Sequence, residues 1–434
     1  MADAGTLREA GESAWSWVRS QVRDDDGPWA PEWVRDEPAE PLAVDRDALY
    51  CGIAGWAPLL TELARHRAPN AEEQVLRDAV VQRLGTEATR CVDASLYVGT
   101  AGHACALAEL GADARPALAH LSATVGDRGW PDPGGSAYVN DVIGGTAGIV
   151  LAGCYLGGSD GLAVASAGAD RLLRTAVPTE DGLDWAMAPE HSSLMPNFSH
   201  GTAGVSTALV VAGAALRRDD LVEAALAGTR HLLGLADLSA DGFVLPMVIP
   251  PQEDRERVTF GWCHGPTGTS YLFAALAHAG VESVDGFATA DLRARCIRAV
   301  MASGVPARVR PGFWDNDGRC CGTAGVGEML LDAAQDADDP TYAAWLLDSA
   351  VVMADAILAR SITDEQGTRW RSVEHRNEDP LLPPNTTWMQ GAAGIAAFLL
   401  RLSRVLADGL RVPVVAGPDR WWAVPEALRV PLGG

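Results

Sequence analysis

The sequence predicts an all-α protein, an α/α toroid in which seven inner helices are surrounded by seven outer helices. A Gly-x-x-Gly turn followed by small and apolar residues occurs seven times along the 434 residues. Between these turns lie stretches whose apolar residues recur at three- and four-residue spacing, as in amphipathic helices. Hydrophobic residues make up 48 % of the chain and charged residues 21 %, as in an ordinary globular protein. No window approaches about 18 uncharged apolar residues, so we expect no membrane span.

The seven turns divide the chain into repeats that each have room for two helices. Their first glycines are Gly52, Gly99, Gly145, Gly201, Gly265, Gly322 and Gly391, at steps of 47, 46, 56, 64, 57 and 69 residues. The runs after the turns, such as "SHGTAGVSTAL", are almost wholly apolar or small, which predicts inner helices buried on all sides. We expect the glycines to allow φ > 0 and a close approach of neighbouring helix starts around one axis.

The outer helices are predicted from stretches such as "LVEAALAGTRHLLGLA" and "YAAWLLDSAVVMADAILARS". An open solenoid of helix pairs is the alternative architecture, because periodicity alone does not establish closure of a ring. We divide the chain into an N-terminal helical extension (1–44), the seven-repeat toroid (45–405) and a C-terminal tail (406–434). Residues 241–262 and 361–387 are expected to be loops at one rim, and the tail is expected to pack on the outside through its Trp pair.

Charge and composition exclude several classes of function. The formal net charge is −23 and every Lys or Arg position is an Arg. So acidic a chain repels phosphate backbones, so we expect no nucleic-acid partner. The lack of Lys excludes a Schiff-base lysine and a Lys-dependent phosphate loop. The N-terminus, "MADAGTLREAGESAW", lacks the basic stretch and apolar core of a secretory signal, so we expect a cytoplasmic location.

The residues just before each first glycine point to the axis in a toroid of this kind. In chain order they are Cys51, Val98, Gly144, His200, His264, Cys321 and Gln390. The position one residue earlier adds Cys263 and Cys320, so three thiols become neighbours in space although 57 residues separate these two cysteines. Three thiols at equivalent turns predict a zinc site with an open fourth position. The N-terminal ends of the inner helices would help to hold the thiolates ionised.

The other five cysteines divide into two groups. Cys91, Cys105, Cys154 and Cys296 stand in apolar contexts and are interpreted as core residues. Cys51 has a ligand-like repeat position, but its neighbours in the ring, Val98 and Gly144, are not ligands, and its role stays open.

The seven turns, together with "WCHGPTG" and "CCGTAG", resemble the lanthionine synthetase C-like (LanC-like) cyclase family over roughly residues 45 to 405. The resemblance implies an α/α toroid with a central zinc ion held by Cys263, Cys320 and Cys321. The last ligand is His in most of the family, and Cys-Cys-Gly is typical of a minority. Both cysteines of the pair would then be zinc ligands.

The resemblance also implies a catalytic Asp141, in "YVNDVIGGTAG", and a catalytic His200, in "NFSHGTAG". Each has a structural alternative, because Asp141 could cap the following helix and His200 could be a hydrogen-bonded core histidine.

One position departs from the family pattern. Thr259 stands four residues before the first zinc cysteine, where well-studied members have Arg. Arg257 or Arg255 could replace that Arg. We assign His264 and Arg257 to substrate binding.

The implied activity is that of a zinc-dependent lanthipeptide cyclase, which adds peptide Cys thiols to dehydroalanine or dehydrobutyrine to form (methyl)lanthionine rings. Zinc lowers the pKa of the thiol, and His200 takes the thiol proton or protonates the enolate, a choice the sequence leaves open. The implied partners are a dehydrated precursor peptide and separate dehydratase or kinase/lyase enzymes. Two alternatives remain: a LanC-like transferase that adds a small thiol such as glutathione to dehydroamino acids in proteins, and a non-catalytic peptide-binding scaffold of a modification complex.

Overall fold

The computed structural model describes residues 1–35, 46–131, 138–188, 194–253, 255–307, 316–374 and 378–433. The predicted boundary between residues 44 and 45 lies outside these ranges, as do residue 254 and residues 375–377 of the two predicted rim loops.

The described residues contain fourteen α-helices in two layers, which confirms the predicted all-α toroid. The inner helices are α2 (Trp56–Ala64), α4 (Thr100–Glu109), α6 (Thr146–Leu156), α8 (Thr202–Leu216), α10 (Pro266–His278), α12 (Thr323–Asp336) and α14 (Ala392–Asp408). The outer helices are α1 (Ala4–Ser20), α3 (Ala71–Glu87), α5 (Arg115–Thr124), α7 (Gly158–Thr175), α9 (Asp219–Leu235), α11 (Thr289–Ala302) and α13 (Pro340–Ala359). Residues of α4, α8 and α10 are buried almost without exception, as expected of helices enclosed by an outer layer.

Short antiparallel hairpins connect the helices. Their strands are β1 (Arg23–Asp24), β2 (Pro28–Trp29), β3 (Val177–Pro178), β4 (Leu183–Asp184), β5 (Ser283–Val284), β6 (Phe287–Ala288), β7 (Ile362–Asp364), β8 (Gly367–Arg369), β9 (Arg371–Val373) and β10 (Leu381–Pro384). They form five separate pairs: β1 with β2, β3 with β4, β5 with β6, β7 with β8, and β9 with β10. The region 361–387, predicted as a loop, therefore carries four strands. It is held on α1, where the Thr368 hydroxyl donates to Ser13 Oγ at 2.9 Å.

A cycle of backbone hydrogen bonds closes the ring. Each turn that precedes an inner helix donates to the corresponding turn of the next repeat, and the seventh donates to the first. The N···O pairs are Tyr50–Tyr97 (2.9 Å), Tyr97–Ile143 (3.2 Å), Val142–Ser199 (3.0 Å), Ser199–Cys263 (3.0 Å), Cys263–Cys320 (3.2 Å), Cys320–Met389 (2.8 Å) and Met389–Tyr50 (3.1 Å). Neighbouring inner helices also touch all the way round, including α14 with α2. These contacts decide between the two architectures in favour of a closed toroid.

The glycines of the motif are required for close approach, and the expectation of φ > 0 was wrong. The first glycine of each motif has extended backbone; at Gly201, for example, φ is −153°. A Cβ atom on Gly201 would lie 1.7 Å from the Met195 carbonyl oxygen, and one on Gly204 would lie 1.9 Å from that of Phe198. The turn folds so tightly over the start of its own helix that no side chain fits.

The seventh outer helix comes from the other end of the sequence. Helix α1, which the sequence division placed in an N-terminal extension, packs along α14. A Cβ atom on Gly11 would lie 2.7 Å from Leu400 Cγ, and the Ser403 hydroxyl donates to the Ala4 carbonyl at 2.7 Å. The first and last helices of the ring thus form one inner–outer pair.

The C-terminal tail enters the toroid, and the expectation that it packs on the outside was wrong. Gln335, at the end of α12, donates to the carbonyl oxygens of Leu410 and Val412. Trp422 is buried and its indole donates to the Tyr271 carbonyl of α10 at 3.0 Å. The tail therefore covers the C-terminal ends of the inner helices, opposite the motif turns.

Helix α13 is long and apolar enough, by length and composition only, to cross a membrane, and within the described ranges it alone meets that criterion. It contains Asp348 and Asp355 and pairs with α12, as the other outer helices pair with their inner helices. An outer helix that packs on an apolar inner helix needs apolar residues of its own, so the composition of α13 also fits its place in the outer layer.

Candidate active site

The candidate site lies at the N-terminal ends of the inner helices, where the motif turns meet around the axis. Gly201, Gly265 and Gly322 are the N-caps of α8, α10 and α12. The side chains that precede these glycines thus gather at three helix N-termini. The positive ends of the helix dipoles favour negative charge there.

Cys263, Cys320 and Cys321 form one buried cluster, as the repeat alignment predicts. Cys263 Sγ lies 3.2 Å from Cys321 Sγ, which lies 3.3 Å from Cys320 Sγ. All three ligand atoms lie within 4.8 Å of one another, a group that could hold a metal ion. Of the four predicted core cysteines, Cys105, Cys154 and Cys296 are buried elsewhere in the fold and Cys91 is half-buried.

The three thiols shift the pKa values of one another. Hydrogen bonds from Cys263 and Cys321 lower the pKa of Cys320 well below its ordinary value. Cys263 and Cys321 have raised pKa values, the first chiefly through its bond to Cys320 and the second chiefly through burial. Three buried cysteine sulfurs are soft donors of the kind that zinc takes in its protein sites. The donor set fits that ion.

His200 and Asp141 form a hydrogen-bonded pair beside the cluster. His200 Nδ1 lies 2.6 Å from Asp141 Oδ2, and Asp141 is 3 % exposed while His200 is 24 % exposed. Burial alone would lower the pKa of His200, but the hydrogen bond and charge of Asp141 outweigh it, with a further contribution from Cys320, so the pKa is raised. Asp141 Oδ1 accepts from the Gly144 N–H at 2.8 Å. Asp141 thus fixes its own turn and orients the imidazole, and leaves Nε2 of His200 free of that contact.

His264 lies next to His200, with ring centroids 5.3 Å apart. Burial and the positive charges of His200 and Arg255 lower the pKa of His264 to about 3, so its ring is neutral. Arg255 thus lies within electrostatic reach of both histidines. Arg257 is exposed, and its described hydrogen bond is made by its carbonyl oxygen, to Met247 N at 2.9 Å. Arg255 is exposed as well, but it is the arginine whose charge lowers the pKa of both histidines.

Tyr50 was missed by the sequence analysis. It occupies the repeat position of Cys263 and Cys320, two residues before the glycine, and this alignment was the signal that could have identified it. Its hydroxyl accepts from Gln390 Nε2 at 3.2 Å, and burial together with the charges of the nearby cysteines raises the pKa of Tyr50.

An aromatic layer separates the site from the interior. Tyr97 packs edge-on against Tyr50 and Trp262, with centroid distances of 6.0 and 5.5 Å. Phe198 lies 5.4 Å from Trp262 and 6.0 Å from Tyr271. Tyr97, Trp262, Phe198 and Tyr271 are all buried, so the layer is part of the core next to the turn that carries Cys263.

Buried ion pairs join the tail to the inner helices α12 and α14. Arg420 of the tail binds Asp332 at 2.7 Å and Glu328 at 3.2 Å, and Arg401 binds the same two acids at 2.7 and 2.6 Å. All four side chains are at most 5 % exposed. Removing one partner of such a network leaves an uncompensated buried charge, so the tail is part of the core.

Comparisons with known proteins agree with this architecture. The family described as "Lanthionine synthetase C-like protein" matches residues 43–405. No curated protein matches the sequence. Twenty-one chains of solved structures match, among them one titled "Nisin cyclase", with a TM-score of 0.56 and 15 % identity over 85 % of this chain and 94 % of that chain. At this identity the structural likeness shows a shared fold.

Proposed function

The chain belongs to the lanthionine synthetase C-like family, and from this premise we propose that it is a zinc-dependent lanthipeptide cyclase. It would add Cys thiols of a dehydrated precursor peptide to dehydroalanine or dehydrobutyrine and so form thioether rings. The observation that carries the proposal is the buried Cys263–Cys320–Cys321 cluster with the Asp141–His200 pair beside it. A scaffold without catalysis requires neither.

We assign Cys263, Cys320 and Cys321 as the zinc ligands. An ion held by these residues would lower the pKa of a substrate thiol and so supply a thiolate nucleophile at neutral pH. The three cysteines come from two adjacent turns of the hydrogen-bonded ring, so the ring holds the ligand set together. Three protein thiolates outweigh the charge of a divalent cation, and the helix N-termini of α10 and α12 offset the excess.

We propose that His200 moves the proton. With Nδ1 bonded to Asp141, Nε2 is the atom that takes the thiol proton or donates one to the enolate. The carboxylate fixes the tautomer and stabilises the imidazolium. The hydrogen bond and charge of Asp141, which outweigh burial, raise the pKa of His200 and so favour its protonated form.

Substrate binding is proposed for His264 and for an arginine of the 250s segment. His264 faces His200, is neutral, and has a buried Nδ1 without a protein partner among the described residues. Arg257 stays a candidate, but the charge of Arg255 reaches both histidines. Thr259 is buried and uncharged, so it does not replace the family Arg.

We further propose that dehydration is carried out by a separate dehydratase or kinase/lyase enzyme and that the protein acts in the cytoplasm. The ring, with its first helix and its tail, accounts for the described residues, and no Lys is present to bind ATP phosphates.

The test is incubation with a dehydrated precursor peptide, followed by mass spectrometry and thiol alkylation to separate cyclised from open product. We expect wild type to consume thiols without a change in peptide mass, and Cys321→Ala to lose both zinc and activity. Cys105→Ala, at a buried cysteine outside the cluster, is the matched control and should keep both. Addition of glutathione to the peptide in place of cyclisation would favour the transferase, and no thioether at all would contradict the proposal.

The roles of His200 and Asp141 are tested separately from the metal. His200→Ala and Asp141→Asn should retain zinc and slow thioether formation about 10²–10⁴-fold. Higher pH should partly rescue His200→Ala if the imidazole acts as base, and not if it acts as acid. A wild-type rate for His200→Ala at every pH would return His200 to the role of a core histidine.

A further inference from the structure

Gly144 lies at the ring position that precedes the third motif glycine, next in order to His200. Six of the seven residues at these ring positions are half-buried, whereas the glycine that follows each of the six is buried. The six are Cys51, Val98, Gly144, His200, His264 and Gln390. The pattern of exposure therefore marks an accessible space at the axis, which these residues line at the N-terminal ends of the inner helices.

Gly144 differs from the two glycines of its own motif, because nothing in its turn requires a glycine there. A Cβ atom on Gly145 would lie 2.5 Å from Asp141 N, and one on Gly148 would lie 2.1 Å from the Val142 carbonyl oxygen. A Cβ atom on Gly144 would have a single neighbour within 4 Å among the described residues, Asp141 Oδ1 at 3.9 Å. The φ angle of Gly144 is also outside the left-handed region, so its backbone conformation is open to any residue.

The space at Gly144 adjoins the Asp141–His200 pair. The Gly144 N–H donates to Asp141 Oδ1 at 2.8 Å, and Asp141 Oδ2 lies 2.6 Å from His200 Nδ1. The two turns are joined through the Val142 N–H, which donates to the Ser199 carbonyl at 3.0 Å. A side chain at residue 144 would therefore enter the accessible space beside the histidine that is proposed to move the proton.

We propose that Gly144 is a specificity-determining residue, which by its lack of a side chain leaves room beside His200 for the acceptor residue of the peptide and so lets dehydrobutyrine react as well as dehydroalanine. This inference rests on the proposed cyclase function and concerns the choice of acceptor.

The chemistry of the addition explains why one methyl group matters. The thiol sulfur bonds to the β-carbon of the acceptor and the α-carbon gains a proton, so every atom of the two reactants is kept. Dehydrobutyrine differs from dehydroalanine by one methyl group on the β-carbon. A methyl group added at residue 144 would compete with it for the same space.

The experiment compares wild type with Gly144→Ala and Gly144→Val on two synthetic peptides. Each peptide carries one Cys and one acceptor, which is dehydroalanine in the first peptide and dehydrobutyrine in the second. The two peptides compete in one reaction, and ring formation is followed by thiol alkylation and mass spectrometry. Both variants keep the backbone N–H that binds Asp141, and Val98 shows that the equivalent turn of the second repeat accepts a branched side chain. Gly85→Ala is the matched control, because its Cβ would have nothing within 4 Å and it lies on the outer helix α3.

For Gly144→Ala we expect the rate with dehydrobutyrine to fall about tenfold relative to the rate with dehydroalanine, at the lower end of the range for one methyl group in a binding pocket. Gly144→Val should change this ratio further in the same direction. Gly85→Ala should keep the wild-type ratio. A loss of folded protein would slow both competing reactions equally, so a changed ratio reports on the site and not on stability.

A ratio in Gly144→Ala that stays at the wild-type value, or that moves in favour of dehydrobutyrine, would overturn the inference. So would a wild type that closes rings onto dehydroalanine alone, because the room at Gly144 would then have no use. If wild type formed a ring in neither peptide, the proposed cyclase function itself would fall, and this inference with it.

Discussion

Glu109, the last residue of α4, is a buried acid whose protonation is coupled to folding. The Tyr155 hydroxyl donates to the Ala416 carbonyl of the tail at 2.8 Å, and its oxygen lies 3.5 Å from Glu109 Oε1. Burial raises the pKa of Glu109 from 4.5 to about 8, although the charge of Arg420 acts in the opposite direction. Folding therefore favours the neutral carboxylic acid, and we predict that Glu109→Gln stabilises the protein at neutral and alkaline pH.

The sign and size of this stabilisation follow from the pKa of Glu109 in the unfolded chain, 4.5, and in the folded protein, about 8. Between pH 4.5 and about 8 the folded state keeps a proton that the unfolded state has lost. Each unit of pH increase in this window therefore lowers the free energy of unfolding by about 1.4 kcal/mol. At pH 7 the accumulated cost is about 3 kcal/mol, over roughly 2.5 units. Glutamine is neutral at all pH values, so its variant escapes this cost and should match wild type near pH 4.5.

The assay is chemical denaturation of wild type and Glu109→Gln at several pH values from 5 to 8. The difference between the two proteins isolates Glu109, because all other groups titrate in both. Glu223→Gln, at an exposed position of α9, controls for the substitution itself and should give a difference near zero throughout. A constant difference between wild type and Glu109→Gln across this range, or a less stable variant at pH 7.5, would refute the reasoning.

The remaining predictions concern the ring, the ligands and the tail. Gly204→Ala should lower the free energy of unfolding by about 3 kcal/mol, because its Cβ would lie 1.9 Å from the Phe198 carbonyl oxygen. Gly85→Ala, whose Cβ would have nothing within 4 Å, should raise the free energy of unfolding by about 1 kcal/mol. Equal denaturation midpoints for the two variants would contradict the close-approach explanation. Cys321→His should retain one zinc per chain by elemental analysis and Cys321→Ala should not, since imidazole is also a zinc ligand; full zinc in the Ala variant would remove Cys321 from the ligand set. Arg420→Met should cost about 3–5 kcal/mol in denaturation, and a neutral effect would show that the buried acids do not depend on the tail.

The regular part of the fold and the sulfur cluster could be predicted because both follow from one repeated turn. Once the glycines are aligned, equivalent positions must face one axis, and this places Cys263 beside Cys320 without any local sequence signal. The same alignment brings His200 next to these turns. Composition alone would have assigned all of these residues to the core.

The rest depends on contacts that the repeat does not encode. The motif requires glycine because a carbonyl oxygen of the same turn lies where a Cβ atom would be, as at Gly204. The distance between these two positions cannot be derived from the sequence. Helix α1 lacks a motif of its own, so nothing in its sequence indicates that it pairs with α14. The tail reads as a Pro-rich segment with a Trp pair, and nothing in its sequence indicates that Arg420 is buried against Glu328 and Asp332 of α12.

The pairing of α1 with α14 has a consequence for how the protein is made. Among the helices, the ribosome synthesises α1 first and α14 last. Helix α1 therefore has no α14 to pack against until nearly the whole chain has been translated. The cycle of hydrogen bonds also lacks its seventh member until Met389 can donate to Tyr50. All three cysteines of the cluster are synthesised before that moment, but their ring is not yet closed. A prematurely terminated chain therefore exposes an open row of apolar helices, and a release product that lacks the last repeat should be recognised by proteases rather than persist as a partly active protein.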